Sequence, residues 1–429
     1  MLTPEEADLV SRDPAIPGLK TVLDPLAFLE ALGRVAPERD LRLAQIQYVK
    51  YKPGTFCRVA YSVDVAGVPC ELEARACRPE DLTSRRRKKT LDAAVPGLLG
   101  SGSLELGEAS VLVTVFPNDS SLPQVPLLSD AEDRCRLVRD VLPDRPEFWE
   151  GDMRCLRYWP GRRYSAELRA PDGRRALLKA YTRKGYRRAL HNTDVFRGDE
   201  RLSIARRLGC SDEHRLIAFE WLPGRMLCDL LHEPGMDRDA LVATGTALST
   251  LHAQPAGGLE RWTRDDEATY VNGLALEIGF LCPPLVQRAE ALARRIGAWF
   301  TEAPPVQQAL HSDLSDTQVL IDGSSVAIVD LDSARSGDPA DDLGALLAQV
   351  ESYVLRGKRT ADQAAAIREA LLQGYARGPA PPLTTRIEPY LAAGLLRRAR
   401  FAFRSRRPDW REITDASLAR AEAIFHTCG

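Results

Sequence analysis

The stretch His311-Ser312-Asp313-Leu314-Ser315-Asp316-Thr317-Gln318-Val319-Leu320, continued by Ile328-Val329-Asp330-Leu331-Asp332 and then by Gly337-Asp338-Pro339, decides how this chain is read. From His311 to Gly344 there are eight Asp against one Arg. A charge run is usually a solvated face, but these aspartates are interleaved with apolar strands. Gln318-Val319-Leu320-Ile321 and Ser325-Val326-Ala327-Ile328-Val329 flank Asp322-Gly323, which predicts a β-hairpin. Asp313 precedes the first strand and Asp330 ends the second. Carboxylates gathered at the ends of buried strands repel one another unless a cation stands between them.

The order and spacing of these residues resemble the aminoglycoside-phosphotransferase and choline-kinase-like superfamily of small-molecule kinases. Its catalytic loop is H-x-D-x-x-x-x-N, its metal strand ends in Asp, and a G-D-P-x-x-D-L segment follows; His311, Asp313, Asp330 and Gly337-Asp338-Pro339 with Asp342-Leu343 match in that order. The resemblance implies an α+β, protein-kinase-like bilobal fold and an ATP- and Mg²⁺-dependent transfer of phosphate to a small hydroxylated molecule. Phosphoryl transfer needs positioning and charge neutralisation more than covalent help. By the resemblance Asp313 is the catalytic base, Asp330 holds Mg²⁺, and His311 braces the loop. Asp332 is either a further metal or acceptor contact or a hydrogen-bonded loop residue. Asp338 and Asp342 are expected to cap or order the next helix.

One position departs from the pattern. Gln318 stands where the family's metal-binding Asn falls. Its amide oxygen is of the same kind but one methylene farther out, and Mg²⁺ tolerates little slack. The expectation is that the backbone retreats and Gln318 joins Asp330 as a metal ligand; a non-catalytic, nucleotide-binding pseudokinase is the alternative.

Upstream, 151–210 carry 16 Lys and Arg against 6 Asp and Glu. Cys155 to Tyr158, Tyr164 to Arg169 and Ala176 to Tyr181 alternate as strands, joined at Pro160-Gly161 and Pro171-Asp172-Gly173. The resemblance makes this a kinase N-lobe in which Lys179 binds the nucleotide's phosphates. Phe196, Glu200, Ile204 and Leu208 recur every four residues and predict a helix. A Glu in that apolar stripe is costly to bury unpaired, so Glu200 is the expected partner of Lys179, with Asp199 as runner-up. Leu216-Ile217-Ala218-Phe219-Glu220-Trp221-Leu222-Pro223-Gly224 resembles the family's strand-to-hinge segment, with backbone groups near Glu220 and Leu222 binding adenine.

The first third echoes this lobe. Tyr51-Lys52-Pro53-Gly54 matches Tyr158-Trp159-Pro160-Gly161, and each is followed by a strand, a Gly turn (Gly67, Gly173), a second strand and an apolar strand ending in Pro. Glu73 falls where Lys179 would. The expected organisation is a non-catalytic cap over 1–145, a nucleotide-binding N-lobe over 146–224 and a helical C-lobe over 225–429, with 118–149 bridging cap to kinase. The cap is read as a degenerate duplicated N-lobe, like the cap of maltokinase-like members, with an unrelated α+β domain as the alternative. Arg85-Arg86-Arg87-Lys88-Lys89 reads as a solvated helix face.

The 429 residues carry 58 Lys and Arg against 60 Asp and Glu, so no global field commits the chain to nucleic acid or membrane. No apolar run approaches the roughly 20 residues of a membrane span, and the acidic start Met1-Leu2-Thr3-Pro4-Glu5-Glu6 lacks a secretory signal. The nine Cys form no C-x-x-C pair, which favours a reduced, cytoplasmic protein. In the superfamily the C-terminal helices build the acceptor pocket. Here 385–411 hold eight Arg against Glu388 and Asp409, so a neutral or anionic acceptor (a sugar, cyclitol or natural product) is expected over a cationic aminoglycoside. An aminoglycoside-type phosphotransferase is the alternative.

Overall fold

The computed structural model describes residues 1–86, 95–107, 110–233, 235–383 and 386–427, with backbone alone at 83–86. Arg87, Lys88 and Lys89 of the basic run therefore lie outside the described residues. The chain forms two compact units: Met1–Tyr186 with Leu208–Ala218 and Phe403–Pro408, and Arg187–Arg207 with Phe219–Ala402 and Asp409–Gly429.

The first unit is a tandem repeat. It opens with helices α1 (Pro4–Ser11), α2 (Leu19–Leu23) and α3 (Pro25–Val35), then strands β1 (Leu41–Lys52), β2 (Phe56–Val65) and β3 (Val68–Cys77), helix α4 (Pro79–Arg86), and strands β4 (Ser103–Leu106) and β5 (Val111–Val115). Helices α5 (Val125–Ser129) and α6 (Ala131–Val141) follow, then β6 (Asp152–Trp159), β7 (Arg163–Arg169), β8 (Arg175–Tyr181), α7 (Arg183–Thr193), β9 (Arg207–Ser211) and β10 (Leu216–Glu220). Both five-stranded sheets have one order, β1-β2-β3-β5-β4 and β6-β7-β8-β10-β9. Ahead of each sheet lies a helix of 5 residues and then one of 11, the longer capped by an Asp (Asp24, Asp130) that accepts a first-turn N–H.

One buried contact repeats as well. The Asp13 carboxylate accepts from Tyr51 Oη at 2.6 Å and Gly54 N at 2.8 Å. Asp119 accepts from Tyr158 Oη at 3.1 Å and Gly161 N at 2.6 Å. Each Asp thus ties the β-turn after the first strand back to the segment that opens its copy. Residues 118–149, read from sequence as a bridge, supply the helices of the second copy. Their Leu128, Leu137, Val138 and Val141 pack with Ala166, Leu168, Leu178 and Ala180 in one core.

The second unit is built on a helical core. Its elements are β11 (Arg225–Met226), α8 (Leu227–His232), α9 (Arg238–His252), α10 (Arg264–Leu281), α11 (Val286–Glu302), β12 (Gln308–Leu310), β13 (Val319–Asp322), β14 (Ser325–Ile328), β15 (Arg335–Gly337), α12 (Ala340–Leu355), α13 (Ala361–Arg377), α14 (Ile387–Ala399), α15 (Phe401–Arg404) and α16 (Trp410–His426). The hairpin predicted around Asp322-Gly323 is β13–β14. Glycines let the long helices close on one another: a Cβ at Gly344 would meet the Tyr390 backbone at 2.7 Å, which brings α12 against α14.

The helix expected over 196–208 does not form. The chain leaves α7 at Thr193, and Ser203 runs parallel to Ala327 as a β-bridge, with Ser203 N donating to Val326 O at 2.8 Å and Ile328 N to Ser203 O at 3.2 Å. Phe196 is buried as the spacing suggests, and so is Leu202 beside the Ser203 bridge to β14, but neither lies on a helix face. Glu200 is exposed at a bend. The cost that called for Lys179 as its partner is therefore absent.

Candidate active site

Strand β12 delivers the chain to His311, and everything near it is tied down. His311 is fully buried. Its Nδ1 accepts from Asp313 N at 3.3 Å, which leaves the ring proton on Nε2 to donate to Val329 O at 2.9 Å. The backbone N–H groups of His311 and Ser312 donate to the two oxygens of Asp342, at 2.7 and 2.8 Å. Asp342 lies in the first turn of α12 and also contacts His252 Nε2 at 3.1 Å; His252 in turn meets Tyr375 Oη at 3.0 Å. Burial pushes the Asp342 carboxyl upward, but His252 and the His311 backbone outweigh it and hold the group below its usual range. Asp338 caps the helix as expected, accepting from Ala340 N at 3.1 Å, whereas Asp342 orders the loop. Asp313 itself is exposed.

Gln318 departs from its expected role. Its Oε1 accepts from Ser315 N at 2.7 Å and from Ser315 Oγ at 2.9 Å. A backbone N–H can only donate, so the oxygen and not the nitrogen faces it. A carbonyl has two lone pairs, and both have protein donors. The longer side chain has turned inward to close the Ser315–Gln318 turn, and it does not present a metal ligand in this arrangement.

Asp330 has φ 71° and ψ 42°, a left-handed conformation that non-glycine residues adopt at a cost of about 1–3 kcal/mol. It aims the residue out of the end of β14. The following turn is held from α7: Asn192, buried, donates to Asp332 O at 3.2 Å and Ala334 O at 3.0 Å, and Arg188 donates to Ser333 Oγ at 3.1 Å. Asn192, Asp342, His252 and Ser315 were not singled out for these roles by sequence reasoning. The only advance sign was a polar residue type inside a segment that packs. Among the described residues no three His, Cys, Asp or Glu side chains group as a metal cage. Mg²⁺ commonly takes one or two carboxylates and completes its shell with phosphate and water; half-buried Asp330, with Asp332 two residues on, offers the hard oxygen donors that suit it.

The hinge begins at Glu220, whose backbone N–H already donates to Arg206 O at 2.8 Å and whose carboxylate takes Arg206 through two bonds of 3.0 Å. Those bonds to Arg206 lower the carboxyl's pKa. With the N–H and the carboxylate of Glu220 engaged in these bonds, its carbonyl is the group these contacts leave for a ligand, next to half-buried Leu222. Gly224, at φ +122°, follows; a Cβ there would meet Ile321 O at 2.9 Å, so β11 reaches β13 only through glycine. In the first unit Lys179 is buried on β8 opposite Ser165, on the face away from Leu178 and Ala180.

One cation of the second unit, Arg397, feels the charge of Asp313. Burial lowers the proton affinity of Arg397, but Asp341, Tyr270, Asp313 and Asp342 raise it further, so the guanidinium sits in the field of the loop carboxylates. Asp341 is pushed up to about 6 by burial against the pull of Arg397. Tyr270 meets Trp262 edge-on at 6.3 Å, and Arg335 lies 4.2 Å over the Trp262 ring. Aromatic faces with flanking guanidinium groups suit a hydroxylated ring or an anion.

Solved structures with a similar course include the aminoglycoside phosphotransferase APH(4)-Ia in a ternary complex with ADP and hygromycin B (15% identity, TM-score 0.48, covering 66% of this chain and 96% of that one). They also include the macrolide 2'-phosphotransferase MphH from Brachybacterium faecium (20%, 0.43, 67% and 97%) and a choline/ethanolamine kinase family protein from Mesorhizobium loti (20%, 0.46, 69% and 95%). None of the curated proteins matches the chain by sequence. No described helix is long and apolar enough to cross a membrane. Residues 167–381, half of the chain, match the phosphotransferase enzyme family (APH). The match takes in the Lys179 strand, the hinge, the Asp313 loop and Asp330, and with it the chain belongs to that family.

Proposed function

We propose that the protein is an ATP- and Mg²⁺-dependent O-phosphotransferase that works in the cytoplasm and moves the γ-phosphate to a hydroxyl of a small neutral or anionic molecule, such as a sugar, cyclitol or natural product. The observation that carries this reading is the contrast at the loop: Asp313 is exposed while His311 and Asp342 beneath it are buried and fully bonded. A base held rigidly and offered outward is what proton removal from an acceptor hydroxyl requires. Lys179 binds phosphate oxygens, the Glu220 carbonyl and Leu222 bind adenine, and Asp330 with Asp332 holds Mg²⁺, which supplies neutralisation of the phosphate charge. Arg397, which shares a field with Asp313 and Asp341, disfavours a polycationic acceptor.

A second reading, a nucleotide-binding pseudokinase, is favoured by one observation: the Gln318 carbonyl is spent on Ser315. Mg²⁺-dependent ADP release from ATP, measured across neutral, anionic and cationic acceptors in wild type and Asp313→Asn, separates the two. Acceptor-stimulated release that vanishes in the variant supports the transferase. Nucleotide binding with no stimulated release by any acceptor supports the pseudokinase.

A further inference from the structure

The first copy of the repeat has Glu73 where the second has Lys179, yet the face of its sheet turned away from its apolar core is strongly basic. Register places Lys50 of β1 opposite Arg58 of β2, and Arg58 opposite Arg75 of β3. Three cations therefore stand side by side across three neighbouring strands. Like charges directly opposite one another destabilise a sheet. The core face of the same strands is filled by Val49, Val59, Leu72 and Ala74.

Two more cations join the row. Arg404 donates to Tyr48 Oη at 3.4 Å, on the same face as Lys50. Arg162 lies 5.7 Å over the Trp159 ring, which meets Tyr48 edge-on at 4.8 Å. Four carboxylates of the described strands share this face: Glu73, whose Oε1 stands 3.1 Å from Arg58 Nε, and, farther out, Glu71 on β3, Asp64 on β2 and Glu105 at the end of the Arg75–Leu112–Glu105 row. Five cations outnumber them. Burial, and then the like charges of Arg58, Arg162, Arg404 and Arg75, lower the proton affinity of Lys50.

The row also has a wall. Arg58 Nη1 donates to Pro160 O at 3.0 Å and lies so close to Gly161 that a Cβ there would collide with it. Arg75, 9% exposed, is held 4.5 Å over the Phe56 ring. Lys50 and Arg162 remain exposed. The result is a cationic face with fixed guanidinium groups at its floor, two open cations at its rim and the Pro160-Gly161 turn along one side.

We propose that this face of the first copy, formed by Lys50, Arg58, Arg75, Arg162 and Arg404, is a binding site for a diphosphate-bearing small molecule. The β1 and β3 strands lie about 10 Å apart, a span that two linked phosphoryl groups bridge better than one. Guanidinium forks and an ammonium point charge are the donors such a group takes. The site lies within the first unit and stands whether or not the chain transfers phosphate.

Titration calorimetry of the full chain with inorganic pyrophosphate tests it. Binding is expected to survive in Lys179→Ala/Asp330→Ala, which silences the proposed nucleotide site. It is expected to weaken by at least about tenfold in Lys50→Glu/Arg162→Glu, whose exposed positions leave the melting temperature unchanged. Orthophosphate should bind more weakly than pyrophosphate. In the Lys179→Ala/Asp330→Ala background, ADP binding more tightly than pyrophosphate assigns a nucleoside diphosphate, and equal binding assigns the bare diphosphate group. The proposal is overturned if pyrophosphate does not bind, if binding is lost with Lys179 and Asp330, or if charge reversal at Lys50 and Arg162 leaves it unchanged. Pyrophosphate binding is read without turnover, so a chain that never releases ADP fails the transferase reading and leaves this one intact.

Discussion

Asp342 grips the start of the catalytic loop: its two carboxylate oxygens take the backbone N–H groups of His311 and Ser312 at 2.7 and 2.8 Å. A residue in the first turn of α12 thereby fixes a loop 30 residues earlier in sequence. His252 on α9 completes the grip from the other side. Asp313 can face solvent and still be held in place because the anchoring is done beneath it.

Asp342→Asn keeps the shape but replaces one acceptor oxygen by a donor, opposite a backbone N–H. Loss of about 1–3 kcal/mol of stability is expected, together with a fall in kcat larger than any change in the KM for ATP. The wild-type carboxyl is held below its usual range, so its stabilisation is present above the ordinary carboxylate pKa and is lost as pH falls through the lowered value. Chemical denaturation between pH 7 and pH 3 should show a steeper loss in wild type than in Asp342→Asn. Parallel curves would remove Asp342 from that role.

Gln318→Asn shortens the side chain that spans Ser315 N and Oγ. A stability loss of about 1 kcal/mol is expected, with the Mg²⁺ concentration for half-maximal nucleotide binding unchanged. A marked shift in that concentration would mean that the amide reaches the metal after all.

The two repeat clamps are chemically alike but serve different turns. Asp119→Ala frees the Pro160-Gly161 turn in the copy that carries Lys179, the proposed phosphate-binding residue, and should raise the KM for ATP several-fold. Asp13→Ala frees Gly54 and should lower the melting temperature without moving that KM. Equal kinetic effects of the two variants would contradict the division of labour between the copies.

Arg397→Ala removes the guanidinium that shares a field with Asp313, Asp341 and Tyr270. The ratio of kcat/KM for anionic over neutral acceptors should fall, by up to about tenfold. An unchanged ratio would place the acceptor elsewhere.

The sequence by itself determined the parts whose signal is local. The β13–β14 hairpin follows from alternation around Asp322-Gly323, and the helical character of the region after 225 is seen in α9, α12, α13 and α16. The repeat showed in Tyr51-Lys52-Pro53-Gly54 and Tyr158-Trp159-Pro160-Gly161 because both turns need a Gly with positive φ.

Tertiary structure decided the rest, because partners distant in sequence leave no periodic trace. The spacing of Phe196, Glu200, Ile204 and Leu208 resembles a helix, yet an open edge at β14 recruits the segment as extended chain instead. Asn192 reaches Asp332 across 140 residues, and no window of sequence contains both. Gln318 could have faced a metal or its own loop; the free N–H of Ser315, three residues away, settled the choice. Residue type and order fixed which groups bear the chemistry. Where each carboxylate and amide points was set by the buried hydrogen bonds that only the folded chain can close.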